Sequence, residues 1–328
     1  MTIRTQRVTD MDVFAFPHPN QFAESFVVDG NTVYVPLNNT DDANSAGLYA
    51  LDMSTKVFTP IFLFEPNEVV FVAKRTRKYF VCNVTTTNHI LLYDHTDGTR
   101  KHYSVIGCPN DICIDPDDDN VAYVVLNMEF TNKNGLLVRI YLDTGLTEIL
   151  LGRHKYALNN TPMDSFSGIN IVDGTIYLST LLNVNALKKD APDIPCSCLV
   201  PDSTFCTHPM YDNISIYGNK LHFAIFSYSN TLGYWVLTNH RLARALYWVA
   251  SLFGLLFVGD RTCIDRCMKP TKVHFLTYDR TTQTHEYVVI DRILPNCDKE
   301  VTQLTQLDDH HYLLVNYKAN CLVRVGLA

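Results

Sequence analysis

The sequence predicts an all-β fold, a six-bladed β-propeller with four-stranded blades, from a repeated strand, its spacing and a repeated turn. One alternating strand recurs six times, and its central residue is in turn Tyr34, Phe80, Tyr123, Tyr177, Phe223 and Leu313. The first four intervals between these residues are 46, 43, 54 and 46 residues. Four strands in about 40–50 residues are typical of a propeller blade.

The other strands of each unit follow in a fixed order. A first strand of the form polar-x-apolar-x-apolar opens four units, at Glu24, Asn110, Ser167 and Asp212. After the recurring second strand, a third strand ends at an aspartate such as Asp52 or Asp94, and a fourth strand follows a short turn. Aspartate and glycine turns between β-branched and aromatic runs are typical of β-hairpins.

A single blade cannot bury both of its faces, so the six units are expected to stack and close into a ring. We expect the last strand, 321–327, to pair with the segment Val13–Phe16 and complete the ring. The prediction is one propeller domain over residues 1–328. A stacked β-sandwich or two smaller β-domains are the alternatives.

The interval from Phe223 to Leu313 is 90 residues, which indicates an insertion between blades 5 and 6. Residues 239–260 lack strand turns, and apolar residues recur there with helical spacing. The run is too short to span a bilayer. A helix over 240–257 would cap the propeller mouth, contact a membrane surface or a protein partner through Arg241 and Arg244, or simply pack on the propeller.

Composition excludes some functions and leaves others open. The net charge is −7 and no basic run is present, which argues against nucleic acid as a partner. The N-terminal residues lack the apolar core of a secretory signal, so the cytoplasm is the default expectation and the compartment stays open.

The ten cysteines do not indicate a metal cluster. Cys82, Cys113 and Cys321 lie in predicted strands, where a free buried thiol is expected. The others of interest lie in two predicted loops, and these are Cys196, Cys198, Cys206, Cys263 and Cys267. Their spacing does not match a structural zinc site, and their disulfide status is open.

The first residue of each innermost strand would lie at one rim of the channel. There the carboxylates of Glu24 and Asp212 would meet the amides of Asn110 and Asn213. Calcium takes six to eight oxygen ligands from such groups and from water, so we expect one Ca²⁺ in the central channel. Asp212 would also act as base or nucleophile. Alternatively, each residue only caps a strand end or fills a turn.

At these residues the chain resembles the six-bladed propellers of the strictosidine-synthase-like and paraoxonase (arylesterase) group, with gluconolactonase and regucalcin as more distant relatives. The matching stretches begin at Ala23, Pro109, Ser167 and Tyr211, and the insertion and last blade are also similar. The resemblance implies a calcium shell of Glu24, Asn110, Asp212 and Asn213. Two positions depart from the family pattern, because Ser167 replaces an asparagine and Gln303 replaces the glutamate of plant strictosidine synthases.

Two functional hypotheses follow. The first is a calcium-dependent hydrolase of lactones or esters that acts on a small-molecule substrate, with Asp212 assisting the attack of water. The second is a non-catalytic propeller that acts as a binding or interaction protein, which the departures at Ser167 and Gln303 favour.

Overall fold

The computed structural model describes residues 2–127, 135–151, 166–180, 184–191, 197–200, 209–227, 273–291, 301–316 and 319–328. Within these ranges the strands form six sheets, which confirms the predicted all-β, six-bladed propeller with four-stranded blades. The only helix in these ranges is the short 3₁₀ turn Ala43–Ser45. None of the described residues belongs to a helix with the length and apolarity that a membrane span requires.

The four main strands of each blade pair antiparallel, and in every blade but the sixth they follow one another in sequence from the innermost strand outward. The first two strands are β1 (Thr2–Gln6) and β2 (Val8–Ala15). Blade 1 contains β3 (Val27–Asp29), β4 (Thr32–Leu37), β5 (Gly47–Asp52) and β6 (Val57–Leu63). Blade 2 contains β7 (Val70–Arg75), β8 (Tyr79–Val84), β9 (His89–Asp94) and β10 (Arg100–Ser104). Blade 3 contains β11 (Cys108–Asp115), β12 (Asp118–Asn127), β13 (Leu136–Tyr141) and β14 (Thr147–Leu151).

The remaining three blades follow the same order. Blade 4 contains β15 (Phe166–Val172), β16 (Thr175–Thr180), β17 (Val184–Lys188) and β18 (Ser197–Val200). Blade 5 contains β19 (Pro209–Tyr217), β20 (Lys220–Ser227), β21 (His274–Asp279) and β22 (Thr284–Ile290). Blade 6 contains β23 (Val301–Gln306), β24 (His311–Asn316), β25 (Cys321–Leu327) and the early strand β2.

The two ends of the chain close the ring, as predicted. Strand β2 pairs antiparallel with β25, with Val13 opposite Val323 and Phe14 opposite Leu322. Strand β1 was not predicted. It pairs in parallel with β22, so that Thr2 lies opposite Glu286, and blade 5 thereby gains a fifth strand. The N-terminal segment thus holds blades 5 and 6 together.

The predicted site of the insertion is wrong. The long segment 228–272 connects β20 to β21, and these strands pair directly, with Ala224 opposite Phe275. The insertion therefore lies within blade 5 and not between blades 5 and 6. The insertion was misplaced because the 90-residue interval from Phe223 to Leu313 contains the two outer strands of blade 5 as well as the insertion. The helix expected over 239–260 lies outside the described residues, as do Cys196, Cys206, Cys263 and Cys267 and the side chain of Cys198.

Aspartates that end the third strands form the turns that the sequence indicated. The carboxylate of Asp52 accepts a hydrogen bond from the backbone N–H of Ser54 at 2.8 Å. Asp94 does the same for Thr96, and Asp279 for Thr281. An aspartate that bonds the backbone two residues on stabilises a tight turn, so one local signal builds the same hairpin in blades 1, 2 and 5.

Six hydrophobic clusters fill the six interfaces between neighbouring blades. Each cluster combines residues from facing sheets; Tyr123 of blade 3 packs with Phe166 of blade 4, for example. Burial of such side chains stabilises a fold by about 25 cal/mol per Å² of apolar surface. Cys82, Cys113 and Cys321 are buried here, as predicted, and the thiols of Cys82 and Cys113 are free.

Candidate functional site

β-Bulges mark one rim of the channel. Close to the N-terminal end of five innermost strands, the pairing with the second strand skips one or two residues. The skipped residues are Phe71 and Val72, Asn110, Ser167, Asp212 and Asn213, and Thr302. A bulge bends its strand and re-aims a side chain, and bulges are common beside functional sites. In blade 1, Glu24 precedes β3 at the corresponding place.

Hydrogen bonds between blades show that these positions are equivalent. A side chain of the preceding blade donates to the backbone carbonyl oxygen of the bulge position at five interfaces. The pairs are Thr302 to Glu24 at 2.7 Å, Ser25 to Phe71 at 2.7 Å, Asn83 to Asn110 at 2.8 Å, Asn110 to Ser167 at 3.1 Å and Ser179 to Asp212 at 2.8 Å. We call Glu24, Phe71, Asn110, Ser167, Asp212 and Thr302 the mouth ring.

The mouth ring contains three of the four predicted metal ligands, and the fourth follows directly. Glu24, Asn110 and Asp212 are half-buried ring members, and Asn213 is the buried residue after Asp212. Ser167, which the sequence placed in the same register, is also in the ring. Phe71 and Thr302 were missed. The first strand of blade 2 begins with the four apolar residues Val70–Ala73, so the polar-x-apolar pattern does not reveal Phe71.

Four other amides between the blades use both ends of the side chain. Asn38 donates to the carbonyl oxygen of Val70 and accepts from its N–H, at 2.7 and 2.8 Å. Asn83, Asn170 and Gln303 likewise donate and accept. We call such a side chain, which joins two blades by hydrogen bonds to the backbone, a latch. Latches give hydrogen-bond partners to buried polar groups, which would cost free energy if left unbonded.

Asn110 and Asn213 differ from those four latches. Asn110 donates from its amide nitrogen to Phe166 and Ser167, but its side-chain oxygen accepts no hydrogen bond within the described ranges. The side chain of Asn213 makes no hydrogen bond there, although the residue is only 7% exposed. Buried polar atoms are usually bonded. These two amide oxygens are therefore available to a ligand.

The two carboxylates contribute negative charge to the mouth. Burial raises the pKa of the Cys108 thiol, and the charge of Glu24 raises it further. Glu24 belongs to blade 1 and Cys108 to blade 3, so this charge acts across blade 2. The part of the chain that the structure describes contains no cluster of three or more His, Cys, Asp or Glu side chains that could hold a metal. A cation here would depend on Glu24, Asp212 and the two amides.

Gly168 lets the neighbouring bulge approach. A Cβ atom at this position would lie 3.0 Å from the Cα of Asn213 and 3.1 Å from the carbonyl oxygen of Asp212. It would also lie 2.9 Å from the hydroxyl of Ser179, which holds that carbonyl. Only glycine fits without displacement, so the placement of Asp212 and Asn213 depends on this residue.

Gln303 has a structural role. Its side-chain oxygen accepts from the N–H of Phe26, and its nitrogen donates to the carbonyl oxygen of the same residue, both at 3.0 Å. The side chain is thus a latch between blades 6 and 1. Asp111 forms a similar latch, because its carboxylate accepts from the N–H of Ile169 on blade 4 at 2.8 Å. Burial raises the pKa of Asp111.

The fold, but no family, is supported by known proteins. The chain is similar to a chain of a nidogen–laminin complex, with 10% identity, a TM-score of 0.53 and coverage of 85% of this chain and 82% of that one. It is also similar to a protein of unknown function from Bacteroides thetaiotaomicron, with 12% identity, a TM-score of 0.57 and coverage of 100% and 75%. No family model matches the sequence, and no curated protein does. These likenesses establish the propeller fold alone.

Proposed function

We propose that the protein is a calcium-dependent hydrolase of lactones or esters whose reaction takes place at the mouth ring. The observation that supports this is the pair of amide oxygens on Asn110 and Asn213, which accept no hydrogen bond from the described residues. Together with Glu24 and Asp212 they offer four oxygen-bearing side chains. Such groups are the ligands that calcium takes, and water completes its shell.

Each residue has a distinct role in this proposal. Glu24, Asn110 and Asn213 would hold the ion, which would polarise the carbonyl oxygen of the substrate. Asp212 would share in holding the ion, and its second oxygen would accept a proton from the attacking water. The remaining mouth-ring members are Phe71, Ser167 and Thr302. Phe71 would contact the apolar part of the substrate, because it is the one aromatic side chain in the ring.

The second candidate is a non-catalytic binding propeller. The structural role of Gln303 favours this alternative. Both ends of its side chain are bonded to Phe26, and glutamine is neither an acid nor a base that could replace the glutamate of plant strictosidine synthases. The similarity to a chain of a nidogen–laminin complex supports this candidate, since that chain belongs to a protein complex. In this case the mouth ring would recognise a ligand without converting it.

Calcium titration tests the metal site. Calorimetry on chelator-treated protein should give a saturable signal, and Glu24→Gln and Asp212→Asn should each weaken binding at least about tenfold. Asp97→Asn is the matched control, since this exposed aspartate lies in a turn on the opposite rim and should leave binding unchanged. No binding by the native protein, or equal binding by all variants, would contradict the proposed site.

A substrate screen then separates the two candidates. Native protein is assayed with lactones and aryl esters, with calcium and with a chelator. Calcium-dependent turnover that Asp212→Asn abolishes, with the circular dichroism spectrum unchanged, supports the hydrolase. Calcium binding without turnover on any of these compounds identifies a binding protein.

A further inference from the structure

Lys74 places a positive charge between blades 2 and 3, beside the mouth ring. It lies on the innermost strand β7, three residues after the ring member Phe71. Its ammonium nitrogen is 3.8 Å from a carboxylate oxygen of Asp111, which directly follows the ring member Asn110. The charged end of Lys74 therefore lies near the residue that follows the ring on β11, and 20% of the Lys74 side chain is exposed.

The carboxylate of Asp111 accepts no hydrogen bond from this ammonium group. One carboxylate oxygen accepts the N–H of Ile112 and the other accepts the N–H of Ile169, both at 2.8 Å. A separation of 3.8 Å is too long for a hydrogen bond. An ammonium group has three donors, yet that of Lys74 makes no hydrogen bond to any residue the structure describes.

Other lysines of this chain form direct hydrogen bonds with aspartate carboxylates. Lys189 lies 2.8 Å from Asp115 and also bonds Asp117, and Lys56 lies 2.7 Å from Asp12. Those pairs are direct and join neighbouring blades. The pair of Lys74 with Asp111 is longer, although its carboxylate is only 2% exposed. Lys74 is therefore oriented by Asp111 and still has its donors to offer.

We propose that Lys74 is an anion-binding residue that takes the carboxylate or phosphate group of a ligand whose other end lies at the mouth ring. Oxyanions supply the acceptors that the ammonium lacks, and at this mostly buried position the attraction is stronger than in water. The inference deepens the proposed function and relies on it only for the ligand's position. Hydrolysis of a lactone or ester yields a carboxylate, so Lys74 would hold the acid product.

The test measures anion binding without calcium, so that it is independent of the metal site. Inorganic phosphate and acetate are titrated separately into chelator-treated protein and followed by NMR chemical shifts. We expect saturable binding of at least one anion, a loss of at least about tenfold in Lys74→Met, and recovery in Lys74→Arg. Stronger binding of acetate or of phosphate tells which oxyanion the site prefers.

Matched variants keep the result interpretable. Lys101→Met changes an exposed lysine on the outer strand of the same blade and should bind like the native protein. The double change Lys74→Met with Asp111→Asn removes the lysine without leaving a buried carboxylate unpaired, and it should also lose binding. Lack of binding by the native protein, or undiminished binding by the double variant, would overturn the proposal. Glu24→Gln should keep anion binding even where it abolishes calcium binding.

Discussion

The side-chain amide of Asn110 donates a hydrogen bond to the backbone carbonyl oxygen of Ser167, 3.1 Å away on the next blade. The two residues hold equivalent places in neighbouring blades, so one ring member positions the next. The same amide also bonds the carbonyl oxygen of Phe166 at 2.9 Å. The amide nitrogen of Asn110 thus joins blades 3 and 4, and its amide oxygen is left unbonded for the proposed cation.

Substitutions at Asn110 separate these two roles. Asn110→Ala should lower the free energy of unfolding by about 1–3 kcal/mol, because two carbonyl oxygens lose their donor. Asn110→Asp should cost a similar amount but retain an oxygen for the cation. Urea denaturation measures stability and calorimetry measures calcium binding, with exposed Asn44→Ala as the control. If the alanine variant is as stable as the native protein, the latch is energetically unimportant.

Gly168→Ala should disturb the mouth through packing alone. The added methyl group would meet the backbone of Asp212 and Asn213 at about 3 Å, and overpacking of this kind costs about 1–3 kcal/mol. Calcium binding should weaken because those two residues must move. Gly174→Ala is the control; its backbone has a φ of +68° and open space around it, so it should lose about 1 kcal/mol and bind calcium normally. Equal calcium affinity in both variants would show that the mouth tolerates the shift.

Gln303→Glu should not create an acid or base. The new carboxylate could no longer donate to the carbonyl oxygen of Phe26, and it would set an acceptor against that oxygen. We expect a loss of about 1–3 kcal/mol in unfolding free energy and no gain in any hydrolytic rate. Gln283→Glu, in an exposed turn, is the matched control and should be neutral. A rate increase in the Gln303 variant would mean that this position reaches the substrate.

Acid should destabilise the protein through His222. Its two ring nitrogens lie 3.0 Å from the hydroxyl of Thr277 and 2.9 Å from the side-chain oxygen of Gln306, and burial lowers its pKa from 6.5 to about 4. The unfolded chain therefore takes up the proton first as pH falls. The stability contributed by neutral His222 is complete above pH 6.5 and is lost toward pH 4.

The expected loss is about 3 kcal/mol across that window. Urea unfolding between pH 7 and pH 4 measures it. His222→Gln should flatten this part of the profile, whereas exposed His18→Gln should leave it unchanged. An identical profile for native protein and His222→Gln would refute the assignment.

The sequence predicted the ring positions in four blades and missed them in two. Glu24, Asn110, Ser167 and Asp212 stand out because a polar residue precedes an alternating apolar run. Phe71 has no such contrast with its neighbours. Whether these side chains bind calcium is a separate question, which stays a prediction, as does the catalytic role of Asp212.

Lys74 and Asp111 could not be found from the sequence. Asp111 resembles an ordinary strand residue, and Lys74 resembles a solvated charge near the end of β7. Their proximity depends on how blades 2 and 3 pack, which has no local signal. The insertion was misplaced for a related reason, since only strand pairing shows that β21 and β22 belong to blade 5.

Alternation of apolar residues and aspartate turns are local properties, and from them the sequence alone determined six four-stranded units and a closed ring. Bulges, latches between blades and the partnering of each amide depend on contacts between residues far apart in the chain. The tertiary structure therefore decided that Gln303 is a latch, that Asn110 and Asn213 retain unbonded oxygens, and that Lys74 lies beside the mouth. A polar residue's chemistry depends on which of its atoms are already bonded, and only the assembled blades determine that.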